Sequence, residues 1–309
     1  MKIHHGYDSL QFINPVVTIG IFDGVHLGHM ALLEKLISKA SECNGESVVM
    51  TFNPHPRLVL DSNSGQLSFL TTLEEKETLL AKAGTDHLII IEFTSGFSMM
   101  KASDFVKNIL VGKIGTKHLI VGHDHHFGYQ GEGNFDKVKI SAEKMGFVVE
   151  QVEGLETDGV VISSSRIRDA LQKGRLEDAN LWLGYGYSLR GLVVEGKKIG
   201  RRIGFPTANI EPLDKNKLIP ANGVYAVEVQ AEGPLLPGML SIGTNPTVNE
   251  DPAVTSIEVN IINFEGDIYG GELEIIFRHR LRDEIKFDNT DELAHQMMID
   301  RDNAMRMLK

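Results

Sequence analysis

Between residues 16 and 152 the chain alternates two kinds of segment, and this alternation limits the fold more than any other feature. The runs VVTIGIF (16–22), SVVMTF (47–52), HLIII (87–91), HLIVG (118–122) and FVVEQV (147–152) are short and mostly apolar, as strands covered on both faces should be. Between them lie segments of helical spacing. The first puts Leu27, Met30, Leu33 and Ile37 on one face, a second opens with a capping box from Thr72 to Glu75, and DFVKNIL and DKVKISAEKM follow. This order predicts an α/β domain built on a parallel sheet with helices on both faces. After about residue 184 the rhythm changes. YSLRGLVVEG, GVYAVEVQ, GMLSIGT, SIEVNII and ELEIIFRHRL are strand-like runs separated by Gly, Pro and Asn, which predicts a small antiparallel sheet or barrel. Asn289, with Glu292 three residues on, opens a closing helix. The boundary is placed in LWLGYGYS (181–188), giving domains of residues 1–183 and 184–309.

A length of 309 residues suits two domains. The formal net charge of −11 argues against a large nucleic-acid surface, which would need an excess of Lys and Arg. Cys43 is the single cysteine, so no intramolecular disulfide framework exists, and a reducing cytoplasm fits. The segment MKIHHGYDSLQF carries no signal-peptide core, and the apolar run LIII stops at Glu92, far short of a membrane span. A cytoplasmic protein, monomeric or weakly homo-oligomeric and without nucleic-acid or membrane partners, is expected.

The stretch GIFDGVHLGH (20–29) falls where the first apolar run turns into the first helix. In open parallel sheets ligands bind at such strand carboxyl ends, and the unpaired amides and dipole of a helix start attract anions. Gly20, Gly24 and Gly28 remove side chains where a phosphate would approach the backbone. His26 and His29, three apart in the first turn, project from one side. Imidazole N–H groups placed there could stabilise charge on a phosphate under attack, which is what nucleotidyl transfer requires. In ISSSRIRDAL (162–171), serine hydroxyls and amides at a helix start, with Arg168 one turn in, could hold further phosphate oxygens. HDHH (123–126) offers imidazole and carboxylate. Neighbours on a strand end point alternately, so these are not expected to chelate one metal.

These segments, with TFNPHPR (51–57) and GHDHHFG (122–128), resemble the adenylyltransferase half of bacterial bifunctional riboflavin kinase/FMN adenylyltransferases (FAD synthetases). The resemblance implies a Rossmann-like nucleotidyltransferase fold for the first domain. It assigns catalytic roles to His26, His29, Ser164 and Arg168. It assigns ATP or flavin binding to Gly20, Phe22, Asp23, Gly24, Gly28, Asn53, Asp124 and Phe127. His125 stands where the family usually has Phe.

The second domain carries EGKKIGRRIGFPTANI (195–210). GLVVEGKK approaches a P-loop, but Lys198 replaces the magnesium-binding Ser or Thr and no helix follows, so that reading is rejected. Pro206 stiffens the loop, and Thr207 and Asn209 alternate, so both can face one side of an extended segment. A hydroxyl and an amide oxygen are ligands that Mg²⁺ accepts, and they could equally form a turn network. GRRIGFPTANI, SIGTNPTV (241–248), DIYG (267–270) and LRDEIKFDNTDEL (281–293) resemble riboflavin kinases, in order. The resemblance implies a riboflavin kinase-like barrel with Thr207 and Asn209 on Mg²⁺ and Glu258 as catalytic base. Gly200, Arg201, Gly204, Phe205, Pro206 and Arg282 would bind ATP or flavin. Asn260 replaces the usual His. The implied activities are phosphorylation of riboflavin to FMN by MgATP and adenylylation of FMN to FAD, with ATP, riboflavin and FMN as substrates. A kinase beside a degraded adenylyltransferase, and a non-catalytic flavin-binding protein, are the alternatives.

Overall fold

The computed structural model describes all residues except 61–67, 124, 158, 197–199, 201–203, 232 and 245–254. Two compact units are present, Met1–Ser164 and Ser165–Lys309.

The first unit runs β1 (Lys2–His5), β2 (Val16–Ile19), α1 (Leu27–Glu42), β3 (Ser47–Asn53), the short α2 (Pro56–Leu60), α3 (Leu73–Lys82) and β4 (His87–Glu92). Two short helical turns, α4 (Ser95–Ser98) and α5 (Ala102–Asp104), lead into a π-helical segment, Phe105–Ile114. β5 (His118–Gly122), α6 (Phe135–Met145), β6 (Val148–Val152) and a two-residue hairpin of β7 (Glu156–Thr157) and β8 (Val160–Val161) complete it. The six-stranded sheet is parallel, in the order β1-β4-β3-β2-β5-β6.

The apolar runs form strands because both faces are covered. Val17, Ile19, Val48 and Met50 pack with the π-helical segment and α6, while Val16, Val49, Leu88 and Ile120 pack with α1 and α3. Chain order reverses between β2 and β5, so the loop after β2 opens at the switch point where such sheets bind ligands. Three expectations change. β1 was not foreseen, since KIHH is a polar edge strand. The α1 seam is Leu32, Leu33, Leu36 and Ala40, with Leu27, Met30 and Ile37 only partly buried. The i+4 ridge 32–36–40 makes the contact. The DFVKNIL helix is π-helical rather than α-helical, and its wider turns keep Phe105, Ile109, Leu110 and Ile114 against the sheet.

The second unit opens with α7 (Ser164–Gln172) and α8 (Leu176–Leu183), followed by β9 (Ser188–Val194), β10 (Ala208–Pro212), β11 (Gly223–Gln230), β12 (Leu235–Thr244), β13 (Thr255–Ile261), β14 (Glu272–Arg282) and α9 (Thr290–Met307). The strands close an antiparallel barrel, β10-β13-β12-β11-β14-β9. β9 alternates half-buried and buried residues, with Leu189, Gly191 and Val193 inward. β11 is buried on both faces from Gly223 to Val227. One face lines the barrel, while Ala226 packs with Ala304 of α9. α7 and α8 pack with the barrel: Ala221 N donates to Leu171 O at 2.9 Å, and Asn180 Nδ2 donates to Phe277 O at 3.0 Å. The packing division at 164/165 therefore precedes the 183/184 division drawn from sequence.

Asn289 caps α9 through Asp291 N and Glu292 N. A two-pronged ion pair docks the helix. Arg282 Nε and Nη2 donate to the two oxygens of Asp300 at 3.0 and 2.7 Å, and the Asp300 side chain is almost wholly buried. Removing one partner of such a pair strands the other. Asp300→Ala is expected to destabilise the second unit by roughly 3 kcal/mol, measured as a lower denaturation midpoint for that unit. An unchanged midpoint would refute the strut.

Candidate active sites

The loop after β2 has an unusual backbone. Phe22 (φ 52°), Gly24 (φ 85°) and Val25 (φ 34°) all lie in the positive-φ region, costly for the two side-chain-bearing residues. Phe22 and Val25 are buried in the cluster that joins α1 and α3 to the sheet, and packing holds them there. Asp23 is also buried. Its Oδ1 accepts from Leu70 N (2.9 Å), Thr71 N (3.0 Å) and Thr71 Oγ1 (3.3 Å). Gly24 N donates to Thr71 Oγ1 at 2.9 Å, and Ser164 Oγ donates to Asp23 O at 2.9 Å. The loop is thus fastened to two segments remote in sequence.

His26 is the N-cap of α1, its Nδ1 accepting from His29 N at 3.3 Å. A neutral His26 therefore carries its proton on Nε2. The two imidazoles stack with centroids 3.7 Å apart and 15° between planes, and Phe22 lies 5.1 Å from His29. Burial, the neighbouring His26 and the charge of Lys76 together hold His29 well below the usual histidine pKa. It is a neutral ring at pH 7, able to donate a hydrogen bond without storing a charge. Among the described residues its Nδ1 has no partner. A Cβ at Gly28 would press on the His26 ring at 3.2 Å, so the glycine lets the stack form.

In the barrel, Asn209 of β10 faces Glu258 of β13 in register, and Thr207 Oγ1 donates to Glu258 Oε2 at 3.1 Å. Asn260, two residues along β13, donates through Nδ2 to Pro206 O at 2.7 Å and is itself buried. A Cβ at Gly196 would collide with the Asn209 amide, and one at Gly200 with Phe205 O. These two glycines let the backbone at positions 196 and 200 approach Asn209 and Phe205 closely. Three oxygen-bearing side chains converge, and a hydroxyl, an amide and a carboxylate form a donor set suited to a hard divalent cation.

Two family models match in succession, FAD synthetase over residues 10–166 and riboflavin kinase over residues 183–308. The chain belongs to the bifunctional riboflavin kinase/FMN adenylyltransferase family. A member from Listeria monocytogenes is 40% identical, the match covering 98% of this chain and 96% of the relative. One from Escherichia coli K12 is 38% identical over 97% and 96%. A solved structure titled as a macrolide-efflux protein from Streptococcus pneumoniae is 31% identical, with a TM-score of 0.89 over 98% of each chain. Among the described residues no helix is long and apolar enough to cross a membrane.

The structure brings His26, His29, Asp23, Gly20, Gly24, Gly28 and Ser164 together at the β2 mouth. Asn53 ends the neighbouring strand β3 and is exposed. Phe127 packs on Phe105 at 5.6 Å. Arg168 lies one turn into α7, where its Nη1 contacts Ser165 Oγ at 3.4 Å. In the barrel Gly204 takes φ 86°, and Phe205 is buried with Arg301 5.7 Å above its ring. Arg282 is engaged by Asp300. Asp124 and Arg201 lie outside the described residues. Sequence reasoning missed Thr71, which anchors the loop, and Lys76, which is buried beside it. The signal for Lys76 was its position three residues after Leu73 and four before Leu80, on the apolar face of α3.

A lowered histidine pKa has a definite sign. The unfolded chain takes up the proton first, so stability from neutral His29 is complete above about 6.5 and falls as the pH drops below it. Histidine NMR should find His29 still neutral at pH 6. A titration midpoint at 6.5 or higher would contradict the burial described.

Proposed function

We propose that the chain carries out two consecutive ATP-dependent reactions: a kinase in residues 184–309 converts riboflavin to FMN, and an adenylyltransferase in residues 1–183 converts FMN to FAD with release of pyrophosphate. The observation that carries this reading is the presence, in one family member, of both the stacked His26–His29 pair on a helix mouth and the Thr207–Glu258–Asn209 cluster.

In the kinase half, Glu258 accepts the proton of the ribityl 5′-hydroxyl as its oxygen attacks the γ-phosphorus of ATP. Thr207 already bonds the Glu258 carboxylate and keeps it directed toward β10. Thr207 and Asn209 would hold Mg²⁺, which when bound neutralises charge on the β- and γ-phosphate oxygens. Asn260 positions Thr207 by holding the Pro206 carbonyl, and so substitutes for an imidazole at that place. Gly200, Arg201, Gly204, Phe205 and Pro206 would bind ATP or flavin.

In the adenylyltransferase half, an FMN phosphate oxygen bonds to the α-phosphorus of ATP while the bond to the pyrophosphate oxygen breaks. The nucleophile is already ionised, so the protein supplies position and charge stabilisation rather than a base. His26 and His29 donate to phosphate oxygens from one side of the α1 mouth. Gly20, Gly24 and Gly28 leave the backbone open to the triphosphate. Ser164 fixes the loop by binding the Asp23 carbonyl, and Arg168 would stabilise the transferring adenylyl group. Asn53, Asp124 and Phe127 would contribute to binding ATP or FMN.

Chromatography of the products from riboflavin and MgATP tests both halves together, and FMN followed by FAD is expected. FMN without any FAD would remove the second reaction from the proposal. Glu258→Ala should lower phosphorylation at least about 100-fold, the lower end of what proton transfer contributes, and leave adenylylation of supplied FMN intact. His29→Ala should do the reverse. Loss of both activities from either substitution in a folded protein would overturn the division of labour.

A further inference from the structure

Lys76 is an unassigned cation beside the β2–α1 loop. It is only 7% exposed, and among the described residues it makes no hydrogen bond or ion pair through its side chain. Its backbone N donates to Thr72 O at 3.0 Å in the first turn of α3, immediately after the two residues whose amides hold Asp23. Leu73 and Leu80, on the same helix face, pack into the cluster that contains Phe22 and Val25. The lysine stem is therefore directed at the loop rather than at solvent. A buried ammonium with nearby carboxylates but no direct ion pair is costly, and an anion arriving beside it would relieve that cost.

We infer that the Lys76 ammonium is a substrate-binding group of the adenylyl-transfer site, one that pairs with a phosphate of bound ATP or FMN. The inference rests on the adenylyltransferase reading. It adds a cationic group to a site whose His29 ring is held neutral by burial. The groups that act on Lys76 are Asp23 in the loop, Glu77 on its own helix and His29 on α1. Burial lowers its pKa to about 8, with Asp23 and Glu77 opposing the shift. The free enzyme thus sits close to losing this charge at mildly alkaline pH, and a bound phosphate would restore it.

Steady-state kinetics and lysine NMR test this on the full-length enzyme. Lys76→Met should raise the KM for whichever substrate carries the paired phosphate at least tenfold in FMN adenylylation, with riboflavin phosphorylation by the same preparation within twofold of wild type. A change in the KM for ATP assigns the contact to the nucleotide, and a change in the KM for FMN assigns it to the flavin phosphate. In the wild type, kcat/KM for adenylylation should fall as pH rises through about 8. Lys76→Arg, which stays charged, should recover most activity and lose that alkaline fall. Nζ-resolved NMR of the wild type needs no variant to fold, and should show the Lys76 midpoint rising on addition of a non-hydrolysable ATP analogue or of FMN. An unmoved midpoint with both ligands, or an unchanged KM for both substrates in Lys76→Met, would overturn the inference. A wild type that makes no FAD would instead defeat the adenylyltransferase reading itself.

Discussion

The Asp23 carboxylate is the pin on which the N-terminal site turns. It is buried, and it accepts hydrogen bonds from two backbone amides and a hydroxyl at positions 70–71. Charge-assisted bonds of this kind each contribute roughly 1.5–3 kcal/mol, enough to offset the strain of positive φ at Phe22 and Val25. With its carbonyl held by Ser164, the same residue ties together the β2 loop, the entry to α3 and the start of α7. That knot sets the entry angle of α1, and therefore where the stacked imidazoles of His26 and His29 point.

The barrel solves a related problem with different chemistry. Its cluster presents oxygen atoms from Thr207, Asn209 and Glu258, suited to a divalent ion between protein and phosphate. The N-terminal mouth instead gathers the stacked His26 and His29 rings and the buried Lys76 side chain. In an acidic chain of net charge −11, a few charged groups placed in low dielectric interact more strongly than many in water. Glycine serves both sites by absence: at Gly28 it admits the His26 ring, and at Gly196 and Gly200 it lets the backbone approach Asn209 and Phe205.

Much of this was legible along the chain. The five apolar runs became β2 to β6, and the Thr72–Glu75 capping box is present with both of its bonds. Asn289 caps the last helix as its spacing implied. Such features are local, since their partners lie within a few residues. β1 escaped notice because its stabilisation comes from β4, about 85 residues away in register, and not from its own polar composition. The α1 seam was misread because apolar spacing alone does not choose between neighbouring ridges.

The sequence by itself determined two folding units in order, their classes, and the residue types gathered at a strand–helix mouth and in an FPTAN strand. Periodicity, caps and glycine placement are short-range physics and survive without a fold. Only the tertiary structure decided what each polar side chain spends its hydrogen bonds on. Asp23 accepts from Leu70 and Thr71, Arg282 pairs with Asp300, Thr207 bonds Glu258, and Lys76 is a buried side chain. Burial and pairing depend on neighbours brought from distant positions, which no local pattern of residues specifies.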